Sequence, residues 1–336
     1  MKSLKEIAKL MTGKGKGILA ADESNPTCKK RFDSIGVQST FENRNEYRDL
    51  LFSAEGMENY IGGVIMFDET FHQTTTCDQK KPFPAYLREK GVVAGIKVDK
   101  GTKNLAGFND EQITEGLDGL RERLINYYNL GARFAKWRGV IKIGDNIPSK
   151  GSLQANMHSL ARYAALCQES GLVPIVEPEV LMDGRHTIEK CYEVTELVLQ
   201  TTFGQLDIQR VLLDCMVLKP NMVISAIDCS KQAPVNEVAD MTLRCLKNNV
   251  PSDVAGIAFL SGGQSSNLAT AHLNAMNLID SDLPWNLTFS YGRALQQDAL
   301  NSWQGYNRKE AQDAFLYRAK NNSLASKGKC IDCEIV

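Results

Sequence analysis

Val211-Leu212-Leu213-Asp214-Cys215-Met216-Val217-Leu218-Lys219-Pro220-Asn221-Met222 is the stretch on which the reading of this chain turns. Its run of Val and Leu is that of a strand buried on both faces. The run ends in a lysine followed by proline, and Pro220 biases Lys219 toward extended backbone, which places the amine at a strand tip. Alone, such a lysine can snorkel to the rim of the fold. With a second cation close by, its free-amine form is favoured, and a free amine attacks a ketone to form a Schiff base.

Outward from that stretch, further short apolar runs end in the same fashion. Gly17–Asp22 closes on a carboxylate, Gly63–Phe67 is a plain strand, and Val92–Asp99 carries Lys97 and Asp99. Arg133–Arg138 carries Lys136 and Arg138, and Leu172–Glu179 carries Glu177 and Glu179. Val254–Ser261 leads into Gly262 and Gly263, and Leu287–Arg293 ends on a guanidinium. Helical periodicity separates these runs: Leu4 to Met11, Glu42 to Tyr60, 110 to 130, 152 to 170, 187 to 202, 235 to 246, 267 to 278 and 308 to 324. Strands alternating with helices predict a (β/α)8 TIM barrel of the α/β class, as a single domain over residues 1–336 with a C-terminal helix and polar tail from about 308. A doubly wound sheet is the alternative. It usually places phosphate-binding glycines after its first strand, where this chain has Asp22-Glu23-Ser24.

Composition narrows the function. The chain has 336 residues, 43% of them hydrophobic, and a formal net charge of −1. No global field recruits nucleic acid or an anionic membrane. Nine scattered cysteines without paired ligand spacing predict a reduced, cytoplasmic protein. No run reaches membrane-spanning length, and the first residues lack a signal core. His72, His158, His186 and His272 stand apart, each read as a surface or capping residue, so neither a metal nor another cofactor is expected. Gly13-Lys14-Gly15-Lys16-Gly17 lacks the ending of a P-loop. Glu42-Asn43-Arg44-Asn45-Glu46 is read as a solvated helix face.

In a parallel barrel the C-terminal strand ends share one mouth, and residues two apart in a strand share one face. Lys97/Asp99, Lys136/Arg138 and Glu177/Glu179 thus gather with Asp22 and Lys219. These groups suit carbonyl chemistry through an iminium ion: Lys219 as nucleophile, Lys136 as the cation favouring its free amine, Glu177 as general acid and base. Glu179 is expected to orient the lysines, and Asp22 to take a proton from a substrate hydroxyl before carbon–carbon cleavage. Ser261, Gly262 and Arg293 form one expected phosphate site at the strand seven/eight corner. Ser24, Arg31 and Lys97 form a second across the mouth, so a doubly phosphorylated substrate is expected.

Leu19-Ala20-Ala21-Asp22-Glu23-Ser24, Gly95 to Gly101, Phe134 to Arg138, Val176 to Glu179, Leu218 to Met222, Phe259 to Gln264 and Phe289 to Ala294 together resemble the class I, Schiff-base, metal-independent fructose-bisphosphate aldolases, from about residue 4 to 329. The resemblance implies glycolytic cleavage of fructose 1,6-bisphosphate to dihydroxyacetone phosphate and glyceraldehyde 3-phosphate, and the reverse condensation. It implies catalytic roles for Lys219, Glu177, Asp22, Lys136 and Glu179 and a substrate contact at Arg138. It further implies that Ser261, Gly262 and Arg293 hold the C1 phosphate, and Ser24, Arg31 and Lys97 the C6 phosphate. Family members usually form homotetramers, and some bind actin or other cytoskeletal partners. The alternatives are another Schiff-base barrel such as a transaldolase, or a barrel scaffold that binds a protein partner. Two departures stand out. Asn25-Pro26-Thr27-Cys28 is closer to the plastid and bacterial branch. The tail, Cys330 to Val336, lacks the terminal tyrosine that serves proton transfer in relatives, and Cys333 to Val336 has only the outline of a prenylation box.

Overall fold

A computed structural model of the chain describes residues 2–77, 80–280 and 282–330. Eight parallel strands close into a barrel in chain order: β1 Gly17–Ala21, β2 Ile61–Met66, β3 Val93–Lys97, β4 Phe134–Ile141, β5 Val173–Val180, β6 Val217–Leu218, β7 Ile257–Phe259 and β8 Leu287–Tyr291, which pairs back with β1. Each neighbour pair is parallel, and strands consecutive in the chain are joined by crossovers that contain helix. This is the predicted (β/α)8 architecture.

The interior is layered. Ile18, Ala20, Ile65, Val93, Phe134, Val173, Ile175, Val217 and Ala258 fill the barrel. The same inward faces then turn polar toward the C-terminal ends, two residues at a time: Val93 to Lys97, Phe134 through Lys136 to Arg138, Ile175 to Glu177 and Glu179, Val217 to Lys219. An apolar floor therefore lifts the charged groups to the mouth. Gly95 leaves room for it: a Cβ there would meet the Phe134 ring at 2.2 Å. The floor is closed from below by the helix Leu4–Met11, whose Ile7, Ala8 and Met11 are buried against the interior set. That helix starts with a reciprocal cap, Ser3 Oγ accepting from Glu6 N while Glu6 Oε2 accepts from Ser3 N at 2.7 Å. A second, larger apolar layer lies between strands and outer helices.

Several expected boundaries are corrected. The helix read over 110–130 begins only at Leu120. Gly116 and Gly119 sit at φ +126° and +63°, which interrupts it. Gln112–Thr114 pairs instead with Thr102–Asn104 as a two-stranded hairpin. The helix read over Glu42–Tyr60 stops at Phe52, and a single 3-10 turn, Met57–Asn59, precedes β2. Gly204 does not end the next helix, which continues to Ile208. The long run Val211–Lys219 is a strand only at Val217–Leu218, because Leu213–Cys215 winds into a 3-10 turn. Helices at Asn25–Asp33, Asp68–Phe71 and Phe83–Glu89 lack a clear apolar period and were not expected; the helix Arg293–Trp303 was also missed, although Leu295, Ala299 and Trp303 recur every four residues. The segment Glu42–Glu46 is less solvated than expected: Arg44 pairs with Glu69 at 2.6 Å and Glu46 with Arg308 at 2.5 Å.

Candidate active site

The tip of β6 is held without a long ladder. Lys219 N donates to Val176 O at 2.8 Å, and Leu260 N donates to Pro220 O at 3.1 Å. Pro220 has no N–H to give, and Asn221 makes up the difference. Its Oδ1 accepts from Val180 N at 3.0 Å, and its Nδ2 donates to Thr195 Oγ1 and Met222 O, each at 3.1 Å. The backbone around Lys219 is thereby fixed to β5 and β7, and the side chain is directed into the mouth.

There, three buried groups form a chain. Glu177 Oε1 lies 3.0 Å from Lys219 Nζ, and Glu177 Oε2 lies 2.9 Å from Lys136 Nζ. The second is an ion-pair contact rather than a well-aimed hydrogen bond. Lys136 Nζ also donates to Asp22 Oδ2 at 3.1 Å. Lys219, Lys136 and Glu177 are each no more than 5% exposed, a burial that polar heads of this kind tolerate only with partners. Burial favours neutral Asp22, but the ammonium groups of Lys136, Lys219 and Lys97 outweigh it and hold the carboxyl well below the usual carboxylate range. Glu177 is drawn the same way, burial being opposed by Lys136, Lys219 and Arg138. For Lys136, burial favours the free amine, and Asp22, Glu177 and Asp99 overcome it to hold the ammonium above the usual lysine range.

Around this chain the cavity encloses about 370 Å³, room for a small phosphorylated sugar. On one side Lys97 pairs with Asp99 Oδ1 at 2.9 Å, and Gly101 and Thr102 of the hairpin add a wall. The hairpin is anchored to β4 by Thr114 Oγ1, which donates to Arg138 O at 2.7 Å. Ser24 and Thr27 line the rim at the start of the helix Asn25–Asp33, and Arg31 reaches the rim from its last turn. Across the barrel from Lys97, after β7, stand Ser261 and Gly262, the latter at φ +54°, a backbone conformation that suits glycine.

All but one of the expected site residues line this one cavity. Arg293 is the exception: it is exposed, opens the helix Arg293–Trp303, and its Nη2 donates to Gly262 O at 2.8 Å. It touches the β7 loop rather than the cavity wall. Glu179 is also corrected. Its carboxylate accepts from Arg138 Nε, diagonally across β4 and β5, whose register sets Arg138 beside Glu177 and Val140 beside Glu179. His272 is not a surface residue; it is buried, with Nδ1 against Gln264 Oε1 at 2.6 Å. Among the described residues, no group of three or more His, Cys, Asp or Glu is arranged to hold a metal. Sequence reading missed Glu23, which follows Asp22 and pairs with Arg31 at 2.5 Å. It also missed Ser290, whose buried Oγ has no hydrogen-bond partner among the described residues. For Ser290 the period-two face of β8 was the available signal. The tail expectations at Cys333–Val336 lie outside the described residues.

Closed barrel and cavity together define a parallel-barrel enzyme whose site pairs buried amines with carboxylates. The model of the family described as "Fructose-bisphosphate aldolase class-I" matches residues 3–334. The chain is 54% identical over 332 residues to a probable class 1 fructose-bisphosphate aldolase of Xylella fastidiosa, covering 98% of each. It is 53% identical to fructose-bisphosphate aldolase 5, cytosolic, of Arabidopsis thaliana, covering 96% of this chain and 90% of that one. A ternary co-crystal structure of the Plasmodium falciparum aldolase with TRAP and a small-molecule inhibitor superposes with a TM-score of 0.94 at 47% identity, covering 97% of this chain and 94% of that one. The chain belongs to the class I fructose-bisphosphate aldolase family. It is a carbon–carbon lyase of glycolysis, cleaving fructose 1,6-bisphosphate reversibly to dihydroxyacetone phosphate and glyceraldehyde 3-phosphate. No helix among the described residues is long and apolar enough to cross a membrane.

Proposed function

We propose that Lys219 carries the covalent chemistry. Its amine adds to the C2 ketone of the open-chain bisphosphate, and the carbinolamine loses water to give a protonated imine. Glu177 passes the protons of these steps, since its carboxylate bridges Lys219 and Lys136, and this single contact is the main support for the reading. Asp22, already anionic, takes the proton of the C4 hydroxyl. The C3–C4 bond then breaks, its electron pair moves into the iminium to leave an enamine on Lys219, and the aldehyde departs. Protonation of the enamine and hydrolysis release the second product. Lys136 holds Asp22 and Glu177 in place, and Arg138, fixed by Glu179, contacts the sugar.

Ser261 and Gly262 receive the C1 phosphate, with Arg293 bracing their loop. Ser24, Arg31 and Lys97 receive the C6 phosphate. A cationic rim of Arg31 and Lys97 and a glycine-containing loop at Ser261 and Gly262, both lining one cavity, support a substrate charged at both ends. The barrel and its terminal helices act as one domain. The Arabidopsis relative's description as cytosolic supports a cytoplasmic enzyme. We further propose a homotetramer, to be checked by light scattering. The TRAP complex of the Plasmodium relative supports a second, protein-binding role.

Borohydride reduction in the presence of dihydroxyacetone phosphate tests the mechanism. Inactivation with the label mapped to Lys219, and no label in Lys219→Ala protein, is expected. Label at Lys136 alone would falsify the assignment.

A further inference from the structure

Glu23 is a carboxylate in an odd place, lining a cavity meant for phosphate while only 6% of its side chain is exposed. Three helices converge on it. Arg31 Nη1 lies 2.5 Å from Oε1, and Arg48 Nη2 lies 2.7 Å from Oε2. Gln296 Nε2 donates to Oε1 at 3.0 Å and to Ala20 O at 2.8 Å. Arg48 is itself anchored: Nη1 donates to Gln296 Oε1 at 3.3 Å, Nη2 lies 3.3 Å from Cys28 Sγ, and 2% of the side chain is exposed. Arg31 is the outer cation, 22% exposed, at the cavity rim.

The charge count is the informative part. One carboxylate faces two guanidinium groups, so the cluster keeps one positive charge in excess. Were Glu23 paired with Arg31 alone, a phosphate arriving at Arg31 would have to break a neutral pair and strand a buried carboxylate beside its own charge. With Arg48 seated behind, Glu23 stays neutralised when Arg31 turns to the phosphate. We propose that Arg48 is a positioning residue for the distal phosphate: a buried counter-cation that holds Glu23 in reserve and frees Arg31 to bind. This rests on the assignment of Arg31 to the C6 phosphate made above.

Steady-state kinetics on fructose 1,6-bisphosphate and on fructose 1-phosphate, which lacks the distal group, test it. Arg48→Gln is expected to raise KM for the bisphosphate by about tenfold, the scale of one lost charge-assisted bond, and to leave kcat for both substrates and KM for the monophosphate nearly unchanged. Arg48→Lys, which keeps the charge, is expected to restore most of the loss. Because Arg48→Gln leaves Glu23 half-paired and can fail to fold, Glu23→Gln/Arg48→Gln removes both charges and is expected to bind the bisphosphate within about threefold of wild type. Equal losses on both substrates in Arg48→Gln, or a double variant as weak for the bisphosphate alone as Arg31→Ala, overturns the proposal. Arg31→Ala separates the two readings. If it does not raise the bisphosphate KM selectively, the phosphate assignment falls and this inference with it. If it does and Arg48→Gln does not, only this inference falls.

Discussion

Lys97 and Lys136 are register partners across β3 and β4, yet their ammonium groups part to different carboxylates. Lys97 goes to Asp99, and Lys136 goes to Asp22 and Glu177. Adjacent strands lie about 4.8 Å apart, so two like charges are tolerated here only because three anions separate them.

Substitution at the two positions should therefore differ. Lys136→Met leaves Asp22 and Glu177 short of a buried cation, and breaking buried pairs costs about 3–5 kcal/mol. Lys97→Met strands only Asp99, which still accepts Gly101 N at 3.1 Å, and Lys97 is more exposed. Lys136→Met is expected to lower the thermal midpoint well below that of Lys97→Met in parallel calorimetry. Equal midpoints would remove Lys136 from its place as the keystone of the buried charges.

Gly95→Ala should damage the barrel from within. Its Cβ would lie 2.2–2.5 Å from three atoms of the Phe134 ring. Overpacking of this kind costs about 1–3 kcal/mol, and the displaced ring sits two residues before Lys136 on the same face. A lower denaturation midpoint together with reduced kcat is expected, and Gly95→Ala/Phe134→Leu should recover part of both. A variant with unchanged stability would show that Phe134 has room to move.

His272 supplies a pH dependence. Burial pushes its imidazole down to about 4, against about 6.5 when unfolded. Between those values the unfolded chain binds a proton that the folded one refuses, so stability rises with pH there and is lost as pH falls. The loss from pH 7 to pH 5 is expected to be about 2 kcal/mol, and His272→Gln should show less of it in urea titrations at the two pH values. Parallel losses in the two proteins would show that other groups govern acid sensitivity.

Arg293 binds Gly262 O from outside the cavity wall, so its removal loosens the loop expected to hold the C1 phosphate. Arg293→Ala should raise KM for the bisphosphate by roughly ten- to a hundredfold, from about 1.5–3 kcal/mol of charge-assisted bonding. Arg293→Lys, whose ammonium can donate to the same carbonyl, should recover part of the loss. A KM unchanged in Arg293→Ala would show that this loop needs no brace.

The barrel and most of its mouth were legible because both follow from period two. Val93 to Lys97 and Ile175 to Glu179 write apolar floor and charged rim into the same strand. What period could not show was pairing across elements. Glu179 pairs with Arg138 diagonally across two strands whose register sets Arg138 directly beside Glu177, a choice that no local pattern encodes. Arg48 looked like part of a charged helix, yet it is buried because Glu23 and Gln296, far away in sequence, meet it. Ile113 matched a helical spacing, but the positive φ of Gly116 and Gly119 decides that segment. Val211 to Met216 had the composition of a strand, and Leu213–Cys215 nevertheless turns, with Gln168 Nε2 holding Leu212 O at 2.8 Å.

The plug at the barrel floor bears on biosynthesis. Ile7, Ala8 and Met11 are made long before much of the surface that receives them, which includes Val173, Ile175, Val217 and Ala258. Until those strands close, the first helix has no receptacle and its apolar stripe stays wet. Residues made early are thus among the last to be buried, and during translation they are the natural handle for a chaperone.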